Sequence, residues 1–571
     1  MVTRSKVGIH KPRVLRVLTD YTYQEPPSYV VAAKYLQWVA TMDLEFHSLQ
    51  KQQTWSLVPA PLYKNIVTCK WVFKLKRHSD GTIARYKAWL VARGYLQQYG
   101  LDYDETFSPI VKLATVRLLL ALAVNCGWEL KQLDVSNAFL HGILKKEVYM
   151  AQPQGYVDSD FPTHVCLLHK ALYGLKQAPR AWFERFTTQL LHIGFVASGA
   201  DGNLFIYRHD GHLVFLLLYV DDIIVTGNHP SFIASLLHQL SSDFDLKDLG
   251  KLHYFLGLQI EYTSSGLFVH QSKYTLDLLN KFHMADCKPC NIPCVANAHL
   301  WPDDSPLLSN PTHYRSLVGA FQYLTFTRSN LSFAVQQACQ FMSSPADNHL
   351  QAAKRILRYL RGSIHHNLAF TLGPLSLLAY SDANWAGDPV DRKSISGILV
   401  FFGNSPITWF AKKQATVSRS STEAEYRAFA STAVELCWVH MLLKDLGVFL
   451  HTPILWCDNI SALALASNPV FHARTKHIEV VYHFVREKVL RRDLLLKFVA
   501  SHDQLADILT KGLPSPRFLW LLFKLMWQFP MCLRGDEKLE EHDAQELQLQ
   551  TMLSASTYSK TIVKGKTHRF I

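Results

Sequence analysis

A chain of 571 residues that is 49% hydrophobic and 12% aromatic is too apolar for a disordered polymer and long enough for several packed domains. Lys and Arg outnumber Asp and Glu by 59 to 46, a net charge of +13, which favours an acidic partner, nucleic acid first. No apolar run is long enough to span a bilayer, the basic start MVTRSKVGIHKPRVLR lacks the apolar core of a secretory signal, and ten cysteines without a regular framework suit a reducing compartment.

Residues 1–50 read as a linker segment, basic and polar at first, then helix-like in AAKYLQWVATMDLEFHSLQ. From Trp55 the pattern turns to strands, with TCKWVFKLKR and TIARYKAWLVARG joined by a turn at SDG. A helical period follows in TVRLLLALAVNCG, then the strand WELKQLDV, which ends at Asp134, and the polar strand-to-helix turn SNAFLHG. Residues 168–193 predict a helix after a glycine-containing turn. Val214–Thr226, VFLLLYVDDIIVT, predicts two buried strands meeting at a tight turn made by Asp221 and Asp222. A helix (SFIASLLHQLSSDF) and a second hairpin (YFLGLQIEYTSSGLFVHQ, turning at SSG) come next.

The stretch 270–365 is helical and connector-like. Its basic residues Lys354, Arg355, Arg358 and Arg361 share one helical face that could track a phosphate backbone. Cys287, Cys290 and Cys294 in CKPCNIPC begin like half a zinc ribbon, but a fourth ligand is missing at the usual spacing, with His299 the nearest candidate, so a linker containing thiols is expected. An α/β pattern occupies about 375–513, and a charged, Gln-rich tail follows Gly535.

Two acidic sets carry chemistry. In a straight strand adjacent side chains point to opposite faces, but at a turn Asp221 and Asp222 can approach one point. Carboxylates crowded between apolar strands repel one another unless a cation lies between them, so the pair is a candidate for half a Mg²⁺ site. Asp134 is the expected third carboxylate and the Val135 carbonyl a further hard oxygen, although Asp134 alone would read as a helix cap near Ser136. Two ions about 3.5–4 Å apart could activate an attacking hydroxyl and steady a leaving pyrophosphate. The second set is Asp382 after the strand LSLLAY, Glu423 in the first turn of the helix STEAEYRAFASTAVELCWV, Asp458 at the end of PILWCDN and Asp507 in SHDQLADILTKG. Singly, Glu423 would serve a helix N-terminus and Asp507 the surface.

YVDD at 219–222, LDVSNAFLHG at 133–142, LYGLKQAPRAW at 172–182 and KWVFKLKR…ARYKAWLVARGY together resemble the reverse transcriptase of copia-type LTR retrotransposons, over roughly residues 50–530. The resemblance implies an α/β fold class. The expected architecture is a right-hand polymerase with fingers, an RRM-like α+β palm and a thumb (51–295), a connection (296–372), an RNase H-like domain (373–515) and a loose C-terminal segment (516–571). It implies that Asp134, Asp221 and Asp222 are the polymerase acids, and that Asp382, Glu423, Asp458 and Asp507 bind two Mg²⁺ ions, with Mn²⁺ as a substitute, to cut RNA in a hybrid.

By position, Lys74, Lys87, Arg93, Val135, Gly174 and Val220 fall to nucleotide binding, Phe139 beneath the sugar, and Leu256, Gly257 and Leu258 to gripping the primer. The implied partners are an RNA template, a DNA primer, the RNA–DNA hybrid and dNTPs, with no membrane. His477 and His483 could contact phosphate. The family implies cytoplasmic virus-like particles followed by nuclear delivery, with these domains as the C-terminal part of a Pol polyprotein, so that a fragment or a truncated gene product is expected. The chain departs from the pattern at Trp89 (KAWLVA for KARLVA), at Val481 and, more mildly, at Asn384. The alternative is therefore an inactive nucleic-acid-binding remnant, and a third reading is a stand-alone ribonuclease.

Overall fold

The computed structural model describes residues 20–77, 82–296, 300–302, 305–467, 479–525 and 527–528. Residues 1–19 of the expected linker, His299, His477, the Val481 side chain and the tail from 529 lie outside the described residues.

Setting aside the strands that join other sheets or the far edge, strand, helix, two strands, helix, strand is the order of the palm elements through the centre of the chain. Leu130–Val135 is followed by the helix Ala178–Ile193, the hairpin His212–Tyr219 and Asp222–Gly227, the helix Pro230–Asp243 and the strand Leu246–Lys251. In the sheet these strands lie fourth, first, third, second, all antiparallel, and Leu204–His209 and Val196–Ala197 extend the far edge. That is the βαββαβ layout of a ferredoxin-like or RRM-like palm.

Both helices cover one face of this sheet. Trp182, Phe186, Leu190, Ile233 and Leu240 pack on Leu133, Val214, Leu216, Ile223 and Val225. Phe215, Leu217 and Ile224 point the other way, into a core shared with the helix Leu113–Cys126. A sheet buried on both faces needs continuous apolar strands, which is why VFLLL and IIV show no alternation.

The fingers obey the opposite rule. Strands Cys69–Arg77 and Ile83–Ala92 pair as a two-stranded ribbon. Trp71, Phe73, Leu75, Ala88, Leu90 and Ala92 are buried on one face, against the helix Leu36–Lys51. Trp38 of that helix meets Phe73 and Tyr86 edge-on, with centroids 5.3 and 4.9 Å apart. Large side chains buried this way contribute about 1.5–3 kcal/mol each.

Beyond the palm, Tyr254–Phe255, Leu258–Thr263, Gly266–His270 and His366–Thr371 pair in that order. The helices Pro311–Leu324, Ser332–Cys339 and Asp347–Gly362 fill the expected connector. On the last of these, Arg358 and Arg361 donate to the carbonyls of Lys288 (2.8 Å) and Ala285 (2.6 Å). Two of the four connector basics expected to follow a phosphate backbone thus also hold down the cysteine-bearing segment.

The C-terminal sheet runs Ser405–Lys413, Ile395–Phe402, Leu377–Asn384, Ile454–Cys457, Leu495–Phe498. Its first three strands form an antiparallel meander, and the last two join in parallel through crossovers, the first of them carrying the long helix Ser421–Asp445. An antiparallel meander with two parallel strands added is the arrangement expected of an RNase H-like domain. Its core is continuous with that behind the palm, and the described residues as far as Trp527 form one compact unit. The expected boundaries near 295 and 372 fall inside that unit. No helix among the described residues is long and apolar enough to cross a membrane.

Candidate active sites

The palm hairpin turns one residue earlier than the sequence predicts. Tyr219 pairs with Asp222, so Val220 and Asp221 are the two turn residues and Asp222 opens the second strand. Val220 has φ +53°, the left-handed region at the first turn position that a tight hairpin matching strand twist requires. A β-branched residue is strained there. Trp182 holds it in place, donating its indole N–H to the Val220 carbonyl at 2.6 Å.

The register then places the acids. Asp222 sits directly opposite Asp134, and the Val135 N–H donates to the Asp221 carbonyl at 3.0 Å. Opposite residues share a face, so the carboxylates of Asp134 and Asp222 project to the same side at one end of the sheet, beside the turn that carries Asp221.

Their charges confirm the crowding. Asp222 is pushed up to about 6, by burial first and then by Asp221 and Asp134, with a hydrogen bond from Gln132 opposing. Asp221 is also raised, by burial and by Asp134, against its own backbone N–H and Lys87. Tyr173 is raised to about 12 by burial, then by Asp221, Glu45 and Asp134. Gln132, Tyr173 and Trp182 were missed from the sequence. The phase of the strand finds Gln132, two residues before Asp134, but nothing local points to the other two.

The remaining expected residues fall around this floor. Phe139 lies in the short 3₁₀ turn Ala138–His141 after Asn137 (φ +53°), its ring edge-on to Tyr173 at 4.9 Å. Gly174 has φ +89°, and a Cβ there would stand 2.1 Å from the Ala92 carbonyl. Only glycine lets this loop touch the root of the finger ribbon, where Ala92 N–H donates to the Tyr173 carbonyl at 2.7 Å. Lys87 is held below its ordinary value by burial and by Arg85 and Lys76, with Asp134 and Glu45 pulling the other way, so it lies within electrostatic reach of the acids. Lys74 lies opposite Lys87 in the ribbon and pairs with Glu25 at 3.0 Å. Arg93 is half-buried at the ribbon's end, its N–H given to the Thr68 carbonyl. Leu256 and Gly257, with φ +50° and +74°, are the two residues of a tight turn closed by Phe255 and Leu258. Tyr323 donates to the Leu256 carbonyl at 2.6 Å and fixes that turn to the connector.

The second acidic site corrects the sequence at one position. Asp382, Glu425 and Asp458 each offer an oxygen within 4.8 Å of the others. Glu423 is not in this set. It accepts from Arg427 at 2.8 Å and from the Arg419 N–H at 2.9 Å, work at the start of the helix. Two residues along a helix turn by about 200°, so only one of the two glutamates can face the sheet. Glu425 shares its stripe with the buried Ala428, Phe429, Thr432 and Leu436, and that phase was the signal available. Asp507 stands at the flank, bound by Lys511 at 2.6 Å and Arg517 at 3.1 Å.

Lys511 also reaches Asp382 at 3.3 Å, and the Thr510 hydroxyl donates to the same carboxylate. Asp458 accepts from Ser501 (2.9 Å) and Gln504 (3.2 Å). Asp382 and Glu425 are both raised, by burial and by repulsion within the set. Burial works against the Lys511 ammonium, but Asp382 and Asp507 prevail and raise it. Asp134, Asp221 and Asp222 form no set as close as this one.

Residues 52–296 match the family model described as reverse transcriptase (RNA-dependent DNA polymerase). The chain is 47% identical over 523 residues, 91% of its length, to the retrovirus-related Pol polyprotein from transposon RE1 of Arabidopsis thaliana. It is 30% identical over 308 residues to a transposon Ty5-1 protein of Saccharomyces cerevisiae, which it spans entirely. The chain belongs to the copia-type retrotransposon Pol family, in its reverse transcriptase region. This copia-type chain spans 36% of the length of the RE1 polyprotein. A solved foamy viral protease-reverse transcriptase in complex with double-stranded DNA aligns with 81% of the chain and 70% of its own, at 13% identity and a TM-score of 0.23. That value is too low to argue from, and the architecture of this copia-type chain rests on its own strand orders.

Proposed function

We propose that this chain is an RNA-directed DNA polymerase that extends a DNA primer with dNTPs on an RNA template and cleaves the RNA of the resulting hybrid. The polymerase would occupy 51–295, the connection 296–372 and the ribonuclease 373–515. The observation that carries the reading is the register of Asp222 opposite Asp134 beside the Asp221 turn.

Both acid groups suit Mg²⁺, a hard cation taking carboxylate oxygens: Asp382, Glu425 and Asp458 lie within 4.8 Å of one another, and the palm acids gather at one sheet end in partly dry surroundings that penalise unshared negative charge. Asp134, Asp221 and Asp222 would hold it in the palm, with the Val135 carbonyl nearby, and Asp382, Glu425, Asp458 and Asp507 in the RNase H-like domain. Bound there, it supplies Lewis acidity at a phosphoryl oxygen and lowers the pKa of the attacking hydroxyl or water.

The chain's own residues do the rest. Lys87 lies within electrostatic reach of the palm acids and meets triphosphate oxygens, with Lys74 and Arg93 further along the same fingers. Phe139 and Tyr173 wall the sugar side, so a 2′-hydroxyl meets aromatic carbon rather than a polar partner. Gly174 and Val220 bring backbone to the nucleotide, and the Leu256–Leu258 turn steadies the primer. The excess of basic residues supports a salt-sensitive grip on the template, primer and hybrid.

One observation favours a second reading. Trp89 stands on the fingers where the family pattern has arginine, so the fold could bind hybrid without turnover. A labelled DNA primer on an RNA template, incubated with the full chain, Mg²⁺ and dNTPs, separates the two. Extension with shortening of the RNA supports the proposal. Stable hybrid binding with neither product supports the remnant, and RNA cleavage without extension the stand-alone ribonuclease.

A further inference from the structure

The finger ribbon has two unlike faces. The buried one is apolar, while the other presents Lys70, Lys74, Lys76, Arg85 and Lys87 around one indole, Trp89. Trp89 is half-buried and lines a cleft of about 440 Å³ with Arg85, Lys87, Glu45 and Asn137. Asn137 is three residues past Asp134, and the Lys87 ammonium lies 5.4 Å from the Trp89 ring centroid, within electrostatic reach of Asp134. Glu45, on the helix Leu36–Lys51 that packs behind the ribbon, contributes to the same cleft. An aromatic plane flanked by cations, in a cleft whose Asn137 belongs to the turn that follows Asp134, suits a ligand with a flat base at one end and phosphates at the other.

We propose that Trp89 stacks on the base of the incoming dNTP and thereby sets a preference for purines. The inference rests on the polymerase reading of the palm and reverses the meaning of Trp89, from lost charge to a replaced contact. The indole gives up a guanidinium's charge and gains stacking area, which is larger for a purine than for a pyrimidine. Stacking of this kind changes affinity roughly 5- to 150-fold on truncation to alanine.

The test uses the full chain on a primer ended with a dideoxynucleotide, in Ca²⁺, so that binding is read without chemistry. The concentration of the next correct dNTP that holds half of the enzyme–primer–template complex against heparin is measured for each of the four bases. In the unaltered chain dATP and dGTP hold the complex at several-fold lower concentrations than dCTP and dTTP. Trp89→Ala raises the purine values about tenfold or more and erases the bias, and Trp89→Phe lies between. Trp89→Arg recovers affinity without the bias. Binding of the Trp89→Ala chain to primer–template without dNTP stays unchanged, which shows that it is folded.

Equal values for all four bases in the unaltered chain, or a Trp89→Ala chain within twofold of it, overturn the inference and leave the polymerase reading intact. An effect that follows the length of unpaired template rather than the dNTP overturns it in favour of template contact. A complex that no dNTP holds in any variant removes the polymerase reading and the inference together.

Discussion

The two acidic centres solve the same electrostatic problem in different ways. In the palm, Asp134, Asp221 and Asp222 stand at the end of a sheet, half-buried, with Lys247 of the neighbouring strand in register opposite Asp134 and Lys87 on a separate ribbon. In the RNase H-like domain, Asp382 and Glu425 are buried to 1% and 5% exposure, and Lys511 and Arg517 already sit among the acids. Among the described residues none of the first three acids is in a salt bridge, so under the proposed reading that centre would take up cations arriving with substrate. The second is partly compensated by its own chain, so a divalent ion would compete with an ammonium. Fold explains the difference. A two-residue hairpin can only display carboxylates, whereas a helix laid across a sheet can enclose them.

The largest effect expected from this contrast is at Glu425. Glu425→Gln abolishes hybrid cleavage by more than 100-fold, since even outer partners of a metal site are worth about 10–100-fold. Glu423→Gln leaves cleavage within a few fold and instead lowers stability by ~1–3 kcal/mol, through the lost Arg427 and Arg419 contacts. Labelled-RNA cleavage and urea melts read the two. Equal loss of cleavage in both variants would break the assignment.

Lys511→Met sharpens the contrast next. Removing the ammonium beside Asp382 and Asp507 should tighten Mn²⁺ binding at this centre by roughly tenfold, measured by calorimetry, with no change at the palm. The interface between the regions comes third. The Arg117 guanidinium is buried behind the palm, donates to the carbonyls of Ile407 (2.8 Å) and Phe326 (2.5 Å), and lies 3.8 Å from the Trp409 ring. Arg117→Leu orphans both carbonyls and should cost about 2–5 kcal/mol in a urea melt.

The smallest effect concerns Glu45, raised to about 7 by burial against the Leu90 N–H and Lys87. Its folded value lies above the unfolded one, so its contribution is full below about pH 4.5 and is lost as pH rises towards 7. Glu45→Gln should therefore match the unaltered chain at pH 4 and exceed it in Tm by about 1–2 °C at pH 8.

Much of the architecture was legible because it is written locally. Continuous apolar runs marked the palm strands, and two strand-like runs joined by a turn at SDG marked the finger ribbon. Asp134, Asp221 and Asp222 could be named because strand ends and turns are where carboxylates can gather. The turn itself was set one residue late, because adjacent aspartates look like the turn pair while register, a property of both strands, chose Val220 and Asp221. Glu423 was preferred to Glu425 because capping is visible in a few residues, whereas the helix face toward Asp382 depends on a sheet 40 residues away. Tyr173, Lys511 and the connector arginines are defined by what packs against them, which no local pattern encodes.

The most direct test is a crossed pair of variants assayed on one substrate, a DNA primer on a labelled RNA template. Asp221→Asn should eliminate primer extension and leave RNA cleavage of a preformed hybrid intact, while Asp382→Asn should do the reverse. If Asp221→Asn extends the primer as well as the unaltered chain, or if either change removes both activities in a folded protein, the two acid groups are not the separate centres described.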